Sequence, residues 1–364
     1  MRGTGAMRSI SFRYALLLPL FLLFAPAAFG ADDMSKEIAL GKKAAAELEQ
    51  RWELDSDPVV AARLDMILAR LVPFTSRPLP YEVRVAREEE KNAFSLPGGI
   101  IYFTDGMLKF LRSDAEIAAI MAHELAHADR RHVIIQTARS SKISLAAIAL
   151  MVASHGAAGP MILTSLLQVA VTNSYGMDLE READREGFRM LVSAGFPPAA
   201  MVTPLEAMIF DQMKRPYIDP GVFMTHPELA ERVDNILKLA EEMRAPIERK
   251  RALHLLRPST SESGETVLLA VDGVEIWRAK RSTAAEEAAK AASAAIEGFL
   301  QMETPPYDIQ MIDLGGERAL HIGPAIVMRE PLPEGATPLE TLRESLVAAL
   351  GAARDKHQGT NYHR

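Results

Sequence analysis

Two histidines four residues apart, with a glutamate directly after the first, are the residues of this chain best suited to chemistry. They form the run His123-Glu124-Leu125-Ala126-His127. On a helix both imidazoles project from one face, so their nitrogens can meet at one zinc ion. Glu124 lies beside that position, where a carboxylate can take a proton from zinc-bound water and pass it to a leaving amine. The pattern predicts a zinc peptidase site; the alternative is a pair of core or surface histidines.

A catalytic zinc site needs a third protein ligand, and the best candidate is Glu180. Asp184 follows one helical turn later, where it can fix the tautomer of a ligand histidine. The third histidine of the extended motif is absent, since that position is Val133. If the motif helix continues, His132 lies half a turn from the motif's face, and we expect it outside the site. We expect Glu182 to point elsewhere. The alternative is that Glu180 and Asp184 belong to a solvated charged face.

Short strands and a capped helix are predicted to position the motif. Alternating apolar and charged residues predict a strand over 81–87, and residues 92–104 predict a hairpin around a Pro-Gly-Gly turn. Ser113 and Glu116 form a capping box that opens a helix predicted to run over 114–139. Apolar residues at three- and four-residue spacing predict further helices over these ranges: 34–72, 178–194, 199–213 and 228–247.

Residues 143–177 contain no Asp, Glu, Lys or Arg and split at a Gly- and Pro-containing segment into two apolar arms. Each arm has about a dozen residues, which is too short to span a bilayer unaided. The simpler interpretation is a buried helical hairpin. The alternative is a hairpin that makes peripheral contact with a membrane or partly enters it, or that covers the active site.

The remaining chain predicts a second, smaller module. A polar, Pro/Ser/Gly-rich stretch predicts a linker over 251–263. Strands and an Ala-rich helix then predict a small α/β module over 264–352, followed by a polar tail over 353–364, with no visible repeat of 34 or 40 residues. The predicted fold class is therefore α+β: a mainly helical domain with a small β-sheet over 31–250, followed by this module.

The composition restricts the possible partners of the chain and the residue types that can bind a metal. Of 364 residues, 48% are hydrophobic and 24% charged, which is ordinary for a globular protein. A net charge of −7 and a pI near 5.8 argue against nucleic acid as a partner. The chain has no cysteine, so a metal site must use histidines and carboxylates, and disulfides are excluded.

The first 30 residues have the three parts of a secretory signal peptide. Arginines precede an apolar run over 14–24, and small residues precede a predicted cleavage near Gly30. The alternative is a membrane anchor, which the short apolar run and Pro19 disfavour. We therefore expect an exported protein, with the bacterial periplasm as its location.

The chain resembles the M48 family of zinc metallopeptidases, especially its secreted bacterial members. The resemblance implies that residues 31–250 form a zincin-type metallopeptidase domain. It also implies that His123, His127 and Glu180 bind one zinc ion per chain and that Glu124 is the catalytic base. Those secreted members carry a tetratricopeptide-repeat region after the protease domain, whereas this chain has the α/β module, so their partners are not carried over. Four segments carry the resemblance: Asn92-Ala-Phe-Ser-Leu-Pro-Gly-Gly99, His123-Glu-Leu-Ala-His127, Glu180-Arg-Glu-Ala-Asp184, and Thr225-His226-Pro227 with Arg232.

The resemblance also implies roles outside the ligand set. The edge strand that contains Asn92, Ala93 and Phe94 is expected to bind an extended substrate backbone; the alternative for Asn92 and Phe94 is plain strand packing. His226 is expected to reach the zinc as a fourth, inhibitory ligand, unless it simply starts the next helix. Arg232 is expected to stabilise the oxyanion of the tetrahedral intermediate.

Taken together, the sequence predicts an exported zinc-dependent endopeptidase that hydrolyses unfolded or misfolded envelope proteins and is latent through His226. A second interpretation is a chaperone or assembly factor for envelope proteins that uses the same fold mainly for binding. A third is a membrane-embedded protease that acts on substrates close to lipid.

Overall fold

The computed structural model describes residues 31–142, 158–214, 229–313 and 315–357. The predicted signal peptide therefore lies outside the described residues. The helices before residue 254 are α1 (Ala31–Leu48), α2 (Pro58–Leu71), α3 (Asp105–Phe110), α4 (Asp114–Asp129), α5 (His132–Ser141), α6 (Ala158–Val171), α7 (Met177–Ser193), α8 (Thr203–Lys214), α9 (Leu229–Glu242) and α10 (Arg249–Leu253). Short 3-10 turns lie at Val72–Phe74 and Pro198–Met201. We call residues 31–253 the N-terminal unit.

A three-stranded sheet lies directly before the motif helix. Its strands are β1 (Glu82–Ala86), β2 (Ala93–Leu96) and β3 (Ile100–Thr104), in the order β1-β3-β2. β1 runs parallel and β2 antiparallel to β3, so β2 is an edge of this sheet among the described strands. Gly98 and Gly99, with φ of 81° and 95°, make the predicted turn between β2 and β3. The sheet supplies the surface on which the motif helix packs.

The motif helix α4 is buried on all sides. Ser113 caps it by accepting a hydrogen bond from the backbone N–H of Glu116, as the capping box predicts. Helix α7 crosses it closely, and Gly187 makes this approach possible because a Cβ there would lie 3.0 Å from the backbone nitrogen of His123. The close crossing brings the acidic side chains of α7 to the histidines of α4.

The helix predicted over 114–139 is broken, which corrects the sequence-based expectation. Helix α4 ends at Asp129, and Arg131 takes a left-handed conformation with φ of 61° before α5 begins. The Arg131 Nε lies 2.7 Å from Oε2 of the buried Glu37 on α1. Asp129 accepts hydrogen bonds from the backbone N–H groups of Ser76 and Arg77. These tertiary contacts stabilise a break for which the sequence holds no Gly or Pro.

The second arm of the apolar segment forms helix α6, while its first arm, residues 143–157, lies outside the described residues. α6 packs against α1, α5 and β2. Leu163, Leu166 and Val169 are buried there, whereas Met161 is 73% exposed. Within the described ranges, no helix is both long and apolar enough to cross a membrane. The packing of α6 supports the buried interpretation for this arm, and membrane contact through 143–177 stays a prediction.

Residues 256–357, here called the C-terminal module, have a hydrophobic core of their own that runs from Leu256 to Ala353. The module consists of two halves with the same order of elements. The first half has β4 (Pro258–Ser263), β5 (Thr266–Val271), β6 (Val274–Lys280) and α11 (Thr283–Phe299), and the second has β7 (Ile309–Asp313), β8 (Arg318–Ile322), β9 (Ala325–Arg329) and α12 (Leu339–Lys356).

The two halves match in detail. Each sheet is an antiparallel meander, and in each the pairing of the second with the third strand shifts register, at Leu269/Ala270 and at Leu320/His321. Helix α11 packs against β4 and β5 of its own half and against β9 of the other, while α12 contacts β6 as well as β7 and β8. The module is thus a βββα unit repeated once, which the sequence analysis missed.

Two boundaries predicted for the module are wrong. The predicted linker contains β4, whose residues Pro258–Ser263 pair along their whole length with β5. The predicted polar tail continues α12 to Lys356, and His357 is fully buried. In both cases long-range packing orders polar residues that have no apolar periodicity. The α+β class itself is confirmed.

Buried charges on α10 join the C-terminal module to the N-terminal unit. Arg249 donates to Glu206 of α8 at 2.6 Å and to Glu303 of the module at 2.7 Å. Lys250, fully buried, donates to the backbone carbonyls of Ile296 and Glu297 at 2.9 and 3.0 Å. These carbonyls lie in the last turn of α11, where a cation is favoured by the helix dipole.

A second contact reaches the motif helix from the end of α12. The His357 Nε2 lies 3.3 Å from Oε2 of Glu206, and its Nδ1 contacts the guanidinium of Arg112. Arg112 in turn donates to Glu116, in the first turn of α4, at 2.8 Å. The module therefore contacts the start of the helix that carries His123 and His127.

Candidate metal centre

Three buried ligand side chains converge where α4 and α7 cross. The Nε2 atoms of His123 and His127 lie 3.0 Å apart. Glu180 places Oε2 3.6 Å from Nε2 of His123 and Oε1 3.5 Å from Nε2 of His127. All three side chains are buried. These are the residues that the sequence and the M48 resemblance put forward as ligands, and the structure brings them together.

The three side chains fit a zinc ion. In a tetrahedral site with bonds of about 2.0–2.1 Å, ligand atoms lie about 3.3 Å apart. The separation of the two Nε2 atoms is below that value, and the separations from each Nε2 to its nearer oxygen of Glu180 are above it. Two imidazoles and one carboxylate are also a donor set that zinc accepts in catalytic sites. Within the described ranges, His123, His127 and Glu180 form a group of side chains that lie close enough together to hold a metal.

Asp184 and Arg232 lie behind the ligand group. The Nδ1 of His123 is 3.0 Å from Oδ1 of Asp184, as expected for an acceptor that fixes the histidine's tautomer. Arg232 on α9 donates to both carboxylate oxygens of Asp184, at 2.9 and 2.6 Å, and its Nη1 lies 3.1 Å from Oε2 of Glu180. The guanidinium is thus engaged with the two carboxylates, and its predicted contact with an oxyanion stays a prediction.

Glu124 is buried beside the ligands, with 1% of its surface exposed. Burial raises the pKa of its carboxyl group to about 8; the positive charge of His123 opposes that rise and the negative charge of Glu180 adds to it. Among the described residues, its Oε2 has no hydrogen-bond partner. The nearby hydroxyl of Ser95 on β2 also lowers the pKa. The Oε2 atom of Glu124 is therefore a polar atom that a water or a substrate can bind.

His132 corrects the sequence-based expectation most clearly. Because the chain breaks at Arg131, the His132 ring turns back toward the site, and its Nδ1 lies 3.0 Å from Nδ1 of His127. Tyr175, directly before α7, stacks on the His127 ring at a centroid distance of 4.1 Å. Burial lowers the pKa of His132 to about 3, so this imidazole is neutral at physiological pH. Glu182, expected to point elsewhere, has its Oε2 3.5 Å from Nε2 of His132.

The side chains predicted to bind substrate are packed within the fold. Phe94 is fully buried and stacks on Tyr102 at 5.2 Å. The Asn92 amide donates to the carbonyl of Val171 at 2.9 Å and accepts from Asn173 at 3.1 Å. These contacts support the packing interpretation for the side chains of Asn92 and Phe94.

Strand β2 is buried along its whole length, but some of its backbone groups do not pair with β3. The backbone pairing of Asn92 with Thr104 sets the register, so the N–H and C=O groups of Ala93 and Ser95 point away from β3. The carbonyl of Ala93 accepts a hydrogen bond from Asn173 at 3.0 Å. Pairing with a substrate backbone, which stays a prediction, would therefore centre on Ser95, beside Glu124. His226, the predicted latch, lies outside the described residues.

Comparison with known sequences agrees with this geometry. Residues 58–240, half of the chain, match the sequence profile described as peptidase family M48. The chain belongs to this family. The match includes the histidine motif, the Glu180 segment and Arg232, so the resemblance to M48 is confirmed.

Several M48 relatives are similar over part of their length. The beta-barrel assembly-enhancing protease of Escherichia coli (strain K12) is 28% identical over 221 residues, which cover 58% of this chain and 45% of that protein. The mitochondrial metalloendopeptidase OMA1 of Arabidopsis thaliana is 32% identical over 130 residues, covering 36% of this chain and 26% of that protein. The mitochondrial OMA1 of Danio rerio is 32% identical over 179 residues, 46% of this chain and 37% of that protein. The chain spans less than half the length of these curated relatives.

Four residues around the M48 site escaped the sequence reasoning. A motif helix that continued to residue 139 would place His132 outside the site, and the break at Arg131 is what turns its ring toward His127. Ser95 and Asn173 carry no sequence signal beyond a polar residue next to apolar ones. Tyr175 lies five residues before Glu180, and an aromatic residue at the start of the ligand helix is a signal that could have drawn attention to it.

Proposed function

We propose that this M48 protein is an exported zinc-dependent endopeptidase. The observation that carries the proposal is the convergence of His123, His127 and Glu180 in one buried group with Glu124 beside it. A structural zinc site is closed by protein ligands, whereas here three ligands are accompanied by a carboxylate suited to proton transfer.

Within the site, Glu124 moves the proton. Its carboxylate takes a proton from the attacking water and later delivers it to the leaving amine. Burial beside the ligand group keeps the side chain of Glu124 close to the position where that water would be activated. A zinc ion held by His123, His127 and Glu180 would polarise the scissile carbonyl and lower the pKa of a water molecule toward about 7. Arg232 holds Asp184 and Glu180 in place, and Asp184 orients His123.

We propose unfolded or misfolded proteins of the cell envelope as substrates. The secretory pattern of residues 1–30 supports export to the periplasm. The Escherichia coli relative is named for enhancing beta-barrel assembly, which supports envelope proteins as the substrate class. An edge strand beside the site accepts an extended backbone, so a locally unfolded segment would be the form that is cleaved.

Removal of the metal is expected to abolish cleavage. The chain from residue 31 onward would be incubated with fluorescently labelled unfolded casein, before and after treatment with 1,10-phenanthroline. Cleavage should fall to background with the chelator and return on addition of one equivalent of zinc, because the ligand group fits one ion. The non-chelating isomer 1,7-phenanthroline is the matched control. Cleavage that persists in protein shown to contain no zinc would refute the proposed function.

Replacement of His226 tests the proposed latch. His226→Ala is expected to raise the rate of casein cleavage per bound zinc, because loss of a fourth ligand leaves a coordination position open for water. His254→Ala, at an exposed position, is the control. The rates are compared at measured, equal zinc content. An unchanged or lower rate for His226→Ala would contradict the latch while leaving the zinc site itself unaffected.

A further inference from the structure

The two ligand histidines present the same atom to the ligand group but have different partners behind them. In both, Nε2 faces the other ligands and Nδ1 faces away from them. Behind His123, the partner is the carboxylate of Asp184. Behind His127, it is the imidazole of His132, with the two Nδ1 atoms 3.0 Å apart.

Metal binding at His127 leaves one arrangement of protons for this pair. A metal takes the lone pair on Nε2, so the ring proton of His127 must sit on Nδ1 and be donated to His132. The Nδ1 of His132 must then be the acceptor, which places the proton of His132 on its Nε2. The opposite arrangement would put a proton on Nε2 of His127 and exclude the metal.

Glu182 lies where the second proton would be donated. Its Oε2 is 3.5 Å from Nε2 of His132, which is long for a hydrogen bond. The Glu182 side chain is 43% exposed, so it has room to close that distance, whereas the His132 side chain is fully buried. The other carboxylate oxygen of Glu182 lies 3.8 Å from Nε of Arg130, so both partners are within 4 Å of this carboxylate.

The surrounding fold holds the pair in this arrangement. The break at Arg131, stabilised by Glu37, sets the direction in which α5 begins with His132. Tyr175 stacks against the ring of His127, with the two ring planes 24° apart, which restricts the rotation of that ring. The same break that ends the motif helix thus places an acceptor behind its second histidine.

We propose that His132 and Glu182 form with His127 a hydrogen-bonded relay that fixes the tautomer and ring orientation of His127 for metal binding. His132 is a positioning residue in this relay, since it reaches the metal only through His127. The inference rests on the proposed metal site and adds to it the residues that prepare one of its ligands. Outer partners of this kind usually contribute about 10–100-fold to metal affinity.

Zinc affinity in matched variants of the mature chain tests the relay. His132→Leu removes the acceptor at similar volume, and we expect it to weaken zinc binding about 10–100-fold in competition with a chelator. His132→Asn places an amide oxygen near the former Nδ1 and should retain affinity close to that of the wild type. For Glu182→Leu we expect a smaller loss of zinc affinity, on the order of tenfold. Glu186→Gln, one turn further along α7 and also paired with Arg130, is the control and should bind zinc normally.

A second measurement separates positioning from general stability. In the zinc-loaded wild type, the Nδ1 proton of His127 should give a protected, hydrogen-bonded imidazole signal in ¹H–¹⁵N spectra. The signal should persist in His132→Asn and be lost or shift upfield in His132→Leu, with equal thermal unfolding of the zinc-free variants.

The outcomes distinguish the relay from the proposed function. Equal zinc affinity of folded His132→Leu and wild type would overturn the relay. If His132→Leu fails to fold, unchanged zinc affinity of Glu182→Leu would overturn it instead, because Glu182 is partly exposed and tolerates replacement. A wild-type chain that binds no zinc would refute the proposed metal site itself.

Discussion

Glu124→Gln is expected to lower the rate of peptide hydrolysis by about 10²–10⁴-fold while zinc content stays at one ion per chain. Glutamine has nearly the same shape but cannot take a proton from water, and Glu124 is not one of the three converging ligands. The measurement pairs zinc content with the initial rate of casein cleavage. Glu241→Gln, at an exposed position on α9, serves as the control for loss of a carboxylate.

The same variant separates the enzyme from the binding interpretation. If Glu124→Gln cleaves casein at the wild-type rate with normal zinc, another group moves the proton and the assigned role is wrong. If cleavage is lost but the variant still supports the protein's cellular role, a chaperone or assembly function for envelope proteins is favoured over proteolysis.

Arg232→Met is expected to destabilise the N-terminal unit by about 3–5 kcal/mol when zinc is absent. Arg232 is buried and its guanidinium contacts Asp184 and Glu180, which are also buried. Methionine keeps much of the apolar volume but leaves these carboxylates without their cation. Bound zinc should restore part of the lost stability, because it adds positive charge beside Glu180.

Urea unfolding of variants that also carry Trp277→Phe measures the loss of stability in the N-terminal unit alone. The two tryptophans of the chain lie in different units, Trp52 in the N-terminal unit and Trp277 in the C-terminal module, so fluorescence then reports on Trp52 alone. Arg181→Met is the control, since Arg181 pairs with Glu231 at the surface and such pairs contribute about 0–1 kcal/mol. A loss for Arg232→Met no greater than for Arg181→Met would show that the buried pairs do not stabilise the fold.

The ligand group was predictable because its spacing is local. His123 and His127 share a helical face at four-residue spacing, and Glu180 and Asp184 repeat that spacing on a second helix. The class of fold followed from periodicity and capping, as at Ser113. Features that depend on residue spacing within one helix or strand could therefore be predicted from the sequence alone.

The break after Asp129 was not predictable in the same way. It depends on Glu37, more than 90 residues earlier in the chain, and on a loop that contains Ser76. The position of His132 depends on that break, so it followed only from the structure. The burial of His357 is similar, since its partner Glu206 lies on a distant helix. Residues that act through long-range polar contacts carry no local periodicity to reveal them.

Neither βββα half of the C-terminal module forms a complete hydrophobic core by itself. Helix α11 covers part of the sheet of the other half, and α12 does the same in return. A polypeptide with one half alone would leave that apolar surface in water, and it could bury the surface only by associating with a second copy. The short segment between Phe299 and Ile309 makes the association intramolecular, at an effective concentration in the millimolar range or above. The module is in this sense a dimer of two similar halves joined in one chain, so its assembly does not depend on the concentration of the protein.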